Sequence, residues 1–341
     1  MSTHKEQLHF ATWLRAFAAF LVLLCHFCNA NQSGLIQMFG QVFNIGVPIF
    51  FLLSGFLFGY NGVKPPYLPW LFKRAKRIYL PLWLFSIVLL IIHLAQGLHN
   101  NPADWLLMFL GMQGTAVGIH GAVHTWFVTP ILICYIATPL IVRVIEQLEA
   151  LANKNTTILC IVISSFLPCL LGLLPHAFWI ALYGPIIEFA FAFAVGRHYH
   201  QLTYSIQKLS ILSITMITAA FSVRLIGRIF FDGTILYDRL IAWYTHVIAA
   251  MGICILFSAL LNRKNPPKLI QSISNYSFEI YLYHHMFITG PVQLFGLTPS
   301  WVTDWILVAI VSFIVAVLAN KSLAYFEKNI KRLFSQKQRH I

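Results

Sequence analysis

The sequence has few charged residues, and acidic ones are especially scarce. Only 10% of its 341 residues are Asp, Glu, Lys or Arg, and 59% are hydrophobic. Because a soluble domain has about a quarter charged residues, this composition excludes an ordinary soluble globular protein. No polar block is long enough for a soluble domain. The sequence therefore predicts one membrane domain, residues 1–341, that ends in a short basic tail at 323–341.

Cysteine is also scarce, and its pattern excludes some classes of site. The six cysteines lie in apolar runs without metal-ligand spacing, so we predict neither a metal site nor disulfides. The N-terminus lacks a short apolar run followed by a small-residue cleavage site, so we predict no cleaved signal peptide. The first helix is instead predicted to span the membrane.

Apolar runs of about 20 residues, the length that crosses a bilayer, can be placed ten times. They lie at 9–29, 42–61, 78–98, 124–145, 157–174, 177–197, 208–230, 240–261, 274–295 and 301–322. This pattern predicts an all-α fold, a polytopic membrane helix bundle of about ten transmembrane helices. In the outer loop 99–123, residues 104–109 (DWLLMF) predict a short interfacial or re-entrant helix.

Positive charges are concentrated in alternate loops. If the N-terminus is cytoplasmic, the outer loops carry only Arg239. The cations of the inner loops and tail are Lys64, Lys73, Arg74, Lys76, Arg77, Arg143, Lys154, Arg197, Lys208, Arg263, Lys264, Lys268, Lys328, Lys331, Arg332, Lys337 and Arg339. The positive-inside rule therefore predicts an N-in/C-in topology, and it explains the formal net charge of +13 without a nucleic-acid partner.

Within the first predicted helix, the stretch 14–26 carries one cation and one imidazole in an otherwise apolar run. Arg15 and His26 have ten residues between them. A helix therefore places them on one face, about 16 Å apart along its axis. Each alone has a structural explanation, since Arg15 could extend to the membrane interface and His26 could cap the outer end. Because ionisable residues inside a membrane are costly, we interpret the pair as a stripe that contacts a long ligand.

Polar residues of two other helices indicate a second group near the outer surface. His124 begins the fourth predicted helix. Arg224, Arg228 and Asp232 lie at four-residue spacing on the seventh, so they share a face that ends near the outer surface. Together with His26 they predict a cavity in the outer half of the bundle. The alternative for Arg228 and Asp232 is an internal salt bridge.

Two more predicted helices contain polar side chains. Glu188 lies near the middle of the sixth helix, either as a functional residue or as the partner of a buried arginine. The ninth helix has Ser277, Tyr281 and His284 or His285 at helical spacing. That spacing also fits a hydrogen bond between packed helices that involves Tyr281 and His284.

A basic turn, residues 73–77 (KRAKR), opens the third predicted helix. Its simple explanation is orienting charge that contacts lipid phosphates, which would make anionic lipid a partner. The alternative is an anion site. Arg74 and Arg77 share a helical face, and a guanidinium binds phosphate through two hydrogen bonds.

These features occur in the order of a known family. The chain resembles the bacterial acyltransferase 3 family, integral membrane O-acyltransferases that use acyl-CoA. The motifs that carry the resemblance are Arg15 and His26; residues 50–56 (FFLLSGF); Arg74 and Arg77 before residues 78–81 (IYLP); residues 124–127 (HTWF) with Tyr135 and Pro139; and residues 274–284 (SNYSFEIYLYH). Residues 325–327 resemble the closing motif shortened by one residue, so nothing is carried over to Glu327.

The resemblance implies a stand-alone enzyme of the bacterial inner membrane. An acyl group, by default acetyl, would pass from acetyl-CoA to a hydroxyl of a cell-envelope glycan or lipid-linked sugar. Arg74 and Arg77 would hold the CoA phosphates, Arg15 the pyrophosphate or pantetheine arm, and His26 would act as general base. The residues expected to bind the acceptor are His124, Trp126, Arg228, Asp232, Tyr281 and His284.

Other functions remain open at this point. A carrier or flippase for a polar glycan or lipid intermediate also fits many spans and an intramembrane arginine, but it does not need the stripe of Arg15 and His26. A structural subunit of an envelope-glycan assembly complex is a third possibility. Within the enzyme hypothesis, direct transfer is preferred to an acyl-enzyme, because no Ser or Cys lies beside His26 in an elbow-type motif. The sequence leaves the acceptor and the oligomeric state undetermined.

Overall fold

The computed structural model describes residues 8–115, 118–151, 178–201 and 205–337. These ranges form α-helices, short 3₁₀-helices and one π turn, with no β-strand among them, so the all-α prediction is confirmed for this part of the chain. Its twelve α-helices are α1 (His9–Asn29), α2 (Gly34–Phe43), α3 (Gly46–Asn61), α4 (Tyr67–Ala95), α5 (Pro102–Phe109), α6 (Val128–Leu151), α7 (Phe178–Arg197), α8 (Ile206–Phe231), α9 (Ala242–Leu261), α10 (Lys268–Asn275), α11 (Ser277–Ile288) and α12 (Trp301–Lys337).

Several described segments are long and apolar enough to cross a membrane. There are seven of them, namely His9–Asn29, Gly34–Asn61, Tyr67–Ala95, Val123–Leu151, Ile206–Phe231, Tyr237–Leu261 and Trp301–Asn329. The chain is therefore a multi-pass membrane protein. The predicted fifth span, 157–174, lies outside the described residues. The total of about ten spans and the N-in/C-in topology remain predictions.

Helix α4 begins earlier than the sequence predicts. It starts at Tyr67, directly after Pro66, rather than at residue 78. Lys, Arg and Ala are good helix formers, so the basic turn 73–77 continues the helix instead of opening it. Arg74 and Arg77 therefore lie on regular helix and share a face, as their spacing predicts.

The predicted ninth span, 274–295, is wrong as a single helix. It consists of the short helices α10 and α11, which meet at Tyr276, and it stops at Ile288. Gly290 and Pro291 follow. Proline lacks a backbone N–H and fits poorly inside a helix, so the chain leaves the helix there. Tyr281 and His284 nevertheless share α11, as their spacing predicts.

Two segments predicted to lie beside the spans are also helical. The predicted helix 104–109 begins slightly earlier, at Pro102, where the Asn101 side chain accepts a hydrogen bond from the Ala103 backbone N–H (3.0 Å). The predicted tail from residue 323 continues α12 to Lys337. Within α12, Glu327 forms an ion pair with Lys76 of α4 (3.3 Å).

Helix α1 is enclosed by other helices. It contacts α2, α3, α9, α10 and α11. Only Phe20 and Asn29 of its residues are exposed. Arg15 and His26 therefore face neighbouring protein elements rather than open surface.

Helices α3 and α7 approach each other until their backbones are in contact. Gly55 and Gly59, four residues apart on α3, face the carbonyl groups of Phe189 and Phe193 on α7. A methyl group added at either glycine would overlap the facing carbonyl oxygen. Small residues at this spacing allow such close packing between membrane helices.

We predict that Gly59→Ala destabilises the protein. The added methyl group would overlap the backbone carbonyl of Phe193, which, unlike a side chain, cannot move aside by changing rotamer. Overpacking of this kind costs about 1–3 kcal/mol in the free energy of unfolding. Gly34→Ala is the matched control, since a methyl group at Gly34 has open space around it. Thermal unfolding of the purified protein in detergent measures both variants. Equal melting temperatures for the two variants would contradict the close contact.

Candidate functional site

Helix α1 holds Arg15 near three polar groups of other helices. The Arg15 Nη1 group donates a hydrogen bond to the Ser274 hydroxyl of α10 (3.4 Å). Arg15 is also within electrostatic range of Arg77 on α4 and of the Tyr135 hydroxyl on α6. Arg74 interacts with the same two groups. Arg15, Arg74 and Arg77 are hereafter called the basic cluster.

Aromatic side chains pack against one side of the basic cluster. The Arg74 guanidinium carbon lies 5.0 Å from the centroid of the Phe58 ring of α3. Phe58 in turn packs against Trp70 and Tyr135, with ring centroids 5.0 and 5.1 Å away. The Tyr135 hydroxyl is hydrogen-bonded to the Ser54 side chain. A cation above an aromatic face is stabilised without being neutralised.

The basic cluster has no acidic partner in the described part of the chain. The ion pairs found there involve Lys76, Arg197 and His198 instead. Arg15 and Arg74 each lie within electrostatic range of Arg77, and no described carboxylate pairs with any of the three. Their fork-shaped donors suit phosphate oxygens, so this end of the bundle can bind an anion.

The other end of the α1 stripe meets three more histidines. The ring of His26 lies 6.1, 5.1 and 5.2 Å, between centroids, from the rings of His124, His284 and His285. His124 stacks on His285 at 4.8 Å with an interplanar angle of 13°. His284 also lies 4.8 Å from His124. We call these four side chains the histidine cluster.

Backbone carbonyls determine the tautomers of two of these histidines. Nε2 of His124 bonds to the Leu282 carbonyl (3.1 Å), and Nδ1 of His284 bonds to the carbonyl of Tyr281 (2.7 Å). A carbonyl can only accept, so each of these nitrogens carries the hydrogen. The opposite nitrogens, Nδ1 of His124 and Nε2 of His284, are buried without a partner. In the neutral form each therefore offers a free lone pair.

Tyr281 positions His124 within the cluster. The Tyr281 hydroxyl donates to the backbone carbonyl of His124, and its ring lies 5.1 Å from the His124 ring. The Tyr281 ring also packs against Phe127 at 5.3 Å. The Tyr281 hydroxyl therefore makes a hydrogen bond between packed segments, which confirms the structural alternative for Tyr281, whereas His284 bonds to carbonyls of its own helix.

His285 is the member of the cluster that sequence reasoning did not assign. Its Nδ1 lies 3.3 Å from the Thr289 hydroxyl, and its ring faces both His26 and His124. Adjacent helical residues point about 100° apart, so spacing alone favours one of His284 and His285. In the structure His284 and His285 both contact His26, because the His26 ring lies between the directions in which these two side chains point.

Arg228 and Asp232 are not with the histidines, and this corrects the predicted outer cavity. Arg228 of α8 donates to the Gln41 side chain of α2. Asp232 follows the last residue of α8 and is exposed. The described residues contain no ion pair between these two, so the predicted salt bridge is wrong as well. Helix α8 packs mainly on α9.

Trp126 faces a different space from the histidines. With Glu188 of α7, and with Trp243 and His246 of α9, it lines a cavity of about 80 Å³. Glu188 is only 6% exposed, and neither of its carboxyl oxygens has a hydrogen-bond partner. The hypothesis that Glu188 pairs with a buried arginine is therefore wrong.

The histidine cluster is not arranged as a metal centre. Across the ranges that the structure describes, no group of three or more His, Cys, Asp or Glu side chains has a geometry that could hold a metal ion. Nδ1 of His124 and Nε2 of His284 can each accept a hydrogen bond in the neutral form.

Comparison with known proteins gives one match. The family model acyltransferase 3, described as an acyltransferase domain, matches residues 8–321. The chain belongs to the acyltransferase 3 family. No curated protein and no solved structure matches it. This acyltransferase 3 protein is thus a membrane acyltransferase, and both polar clusters lie within the matched residues.

The motif residues of this acyltransferase 3 protein converge at the two ends of one helix face. Arg15, Arg74 and Arg77 meet at one end of the stripe. His26, His124 and His284 meet at the other. The family resemblance therefore coincides with two spatial groups rather than with scattered positions. Trp126, Arg228 and Asp232 lie outside both groups.

We predict opposite effects on stability at the two buried glutamates. Glu188 has no partner, whereas Glu279, 5% exposed, accepts a hydrogen bond from the Asn320 amide (2.7 Å). An unpartnered buried polar group costs about 1–3 kcal/mol. Glu188→Leu should therefore raise the free energy of unfolding by about that amount, and Glu279→Leu should lower it. Denaturant unfolding in detergent tests the pair, and a similar loss in both variants would contradict the geometry.

Proposed function

We propose that this acyltransferase 3 protein transfers an acetyl group from acetyl-CoA to a hydroxyl of a cell-envelope glycan or glycolipid. The observation that carries the proposal is a seam between α1 and the pair α10–α11. Arg15 contacts Ser274 at one end of this seam, and His26 contacts His284 and His285 at the other. A donor that lies along the seam reaches both clusters.

The basic cluster suits the nucleotide end of CoA. That end carries several phosphate groups, whereas the pantetheine arm is long and nearly neutral. Arg74 and Arg77 would bind the phosphates, and Arg15 would bind the pyrophosphate or the start of the arm. The absence of acidic partners among the described residues supports this assignment, because neutralised arginines would bind phosphate weakly.

The distance between the clusters fits an extended donor. Arg15 and His26 are separated by about 16 Å along α1. With its phosphates at the basic cluster, CoA would direct its arm along α1 and bring the thioester to the histidines. The acceptor hydroxyl would meet the thioester carbonyl there.

His26 is proposed as the general base. Its contacts among the described residues are with the rings of His124, His284 and His285, which leaves its lone pair available. Histidine exchanges protons near neutral pH. It would take the hydroxyl proton as the oxygen attacks the thioester carbon, and return that proton to the departing CoA sulfur. The free lone pairs of His124 and His284 would accept hydrogen bonds from acceptor hydroxyls.

The carrier hypothesis explains fewer of these features. A carrier needs polar groups on its path, but it does not need an anion site and a histidine cluster at opposite ends of one seam. Hydrolysis or transfer of acetyl-CoA by the purified protein separates the two functions, since a pure carrier shows neither.

We expect His26→Ala to abolish acyl transfer while the protein remains folded and inserted. Mass spectrometry of envelope glycans from cells that express each variant would detect loss of the acyl mass difference. His99→Ala is the control, because His99 is an exposed loop histidine outside the cluster. Normal transfer by a well-expressed His26→Ala protein would remove His26 from the mechanism.

We expect Arg74→Ala and Arg77→Ala to weaken the use of acetyl-CoA more than the use of acceptor. A hydrogen bond to a charged group contributes about 1.5–3 kcal/mol. The loss should shrink with acetyl-pantetheine, which lacks the nucleotide. Arg143→Ala is the control, since Arg143 is exposed and lies outside the basic cluster. Equal losses with both donors would contradict the assignment of the phosphate site.

The proposed topology gives a further prediction about sidedness. With N-in orientation, the basic cluster lies on the cytoplasmic side of the bacterial inner membrane and the histidines lie in the outer half. In sealed vesicles of known orientation, acetyl-CoA should therefore support transfer only from the cytoplasmic side. The acylated product should appear on the opposite side. Consumption of donor and acceptor from the same side would contradict this arrangement.

A further inference from the structure

A second, larger cavity lies at the end of the bundle where α1 begins. Its volume is about 590 Å³, and it is bounded by α1, α3, α7, α8 and α9. That volume is within the usual range of ligand pockets, about 300–1,000 Å³. Leu14 faces this cavity, whereas the next residue, Arg15, contacts Ser274. The cavity is therefore separate from the basic cluster.

The inner part of this cavity is apolar and extends along α9. Met251 lines its deep end together with Leu52 and Phe191. From Met251 to Leu260, both of which line the cavity, the helix rises about 14 Å, which is about half of a hydrocarbon core about 30 Å thick. The hydroxyls of Tyr199 and Ser258 lie 3.2 Å apart and satisfy each other. The cavity thus matches the depth of one leaflet.

The rim of the cavity is polar and positively charged. Arg263 and Lys264, both exposed, follow the end of α9 and line the cavity. The Trp13 indole N–H donates to the Lys264 carbonyl (3.1 Å), which holds this rim against α1. The side-chain oxygen of Asn262, also on the rim, is buried without a hydrogen-bond partner.

We propose that this cavity binds one anionic glycerophospholipid. An acyl chain would fill the apolar part, and the phosphate would lie at Arg263 and Lys264. A headgroup hydroxyl would donate to the free oxygen of Asn262, as phosphatidylglycerol can and phosphatidylcholine cannot. The proposal does not depend on the acyl-transfer reaction or on the acceptor.

Native mass spectrometry of the purified full-length protein tests this proposal. Phosphatidylglycerol should bind with one tight site, and phosphatidylcholine with the same chains should bind more weakly. Each cation near an anionic headgroup contributes about 1 kcal/mol, or a factor of about five. The double variant Arg263→Ala/Lys264→Ala should therefore lose about thirtyfold in affinity for phosphatidylglycerol. Ala259→Trp, which places a large ring in the cavity, should remove the tight site.

Matched controls keep the result interpretable. The double variant Arg143→Ala/Lys268→Ala removes two exposed cations that do not line the cavity, and it should bind phosphatidylglycerol as the native protein does. If Ala259→Trp fails to fold, the variant Arg263→Ala/Lys264→Ala still tests the proposal, since both residues are exposed and their replacement should not disturb folding. Equal binding of the two lipids, or an unchanged affinity in the rim variant, would overturn the proposal. Displacement of the lipid by palmitoyl-CoA at equal concentration would assign the cavity to the donor instead.

Discussion

The need to satisfy polar side chains inside an apolar bundle governs the arrangement around α1. No solvent is available in the hydrocarbon region, so Arg15 and His26 require partners from protein or ligand. The pair α10–α11 lies at both ends, where Ser274 accepts a hydrogen bond from Arg15 and the rings of His284 and His285 pack against that of His26. The rest of the site is built outward from this pairing, with α4 completing one end and the segment 123–127 the other.

The features that could be predicted from the sequence are those that depend on local spacing. The shared face of Arg15 and His26 follows from helical periodicity, and so does the shared face of Arg74 and Arg77. The convergence of Arg15 with Arg74 and Arg77 is a tertiary fact. Its prediction came from the family resemblance, because spacing along the chain carries no information about which helices are neighbours.

The errors arise where the rotation of a helix about its axis decides the outcome. Arg228 lies on α8 as predicted, but its side chain donates to Gln41 of α2 and not to a member of the histidine cluster. Glu188 illustrates a different limit. A buried acid normally implies a partner, yet both of its oxygens face a small cavity without one. Neither the Gln41 partner of Arg228 nor the lack of a partner at Glu188 can be read from the sequence, because both depend on how the helices pack.

The contact at Gly55 and Gly59 has a mechanical consequence. Two helices separated by a layer of side chains can slide as those side chains change rotamer. Helices α3 and α7 are in backbone contact at these positions, so that layer is absent and the two helices are expected to move together as one rigid unit. A motion of the bundle that admits or releases a substrate would therefore occur between other helices. The contact between α1 and the pair α10–α11 is made by side chains, which can change rotamer.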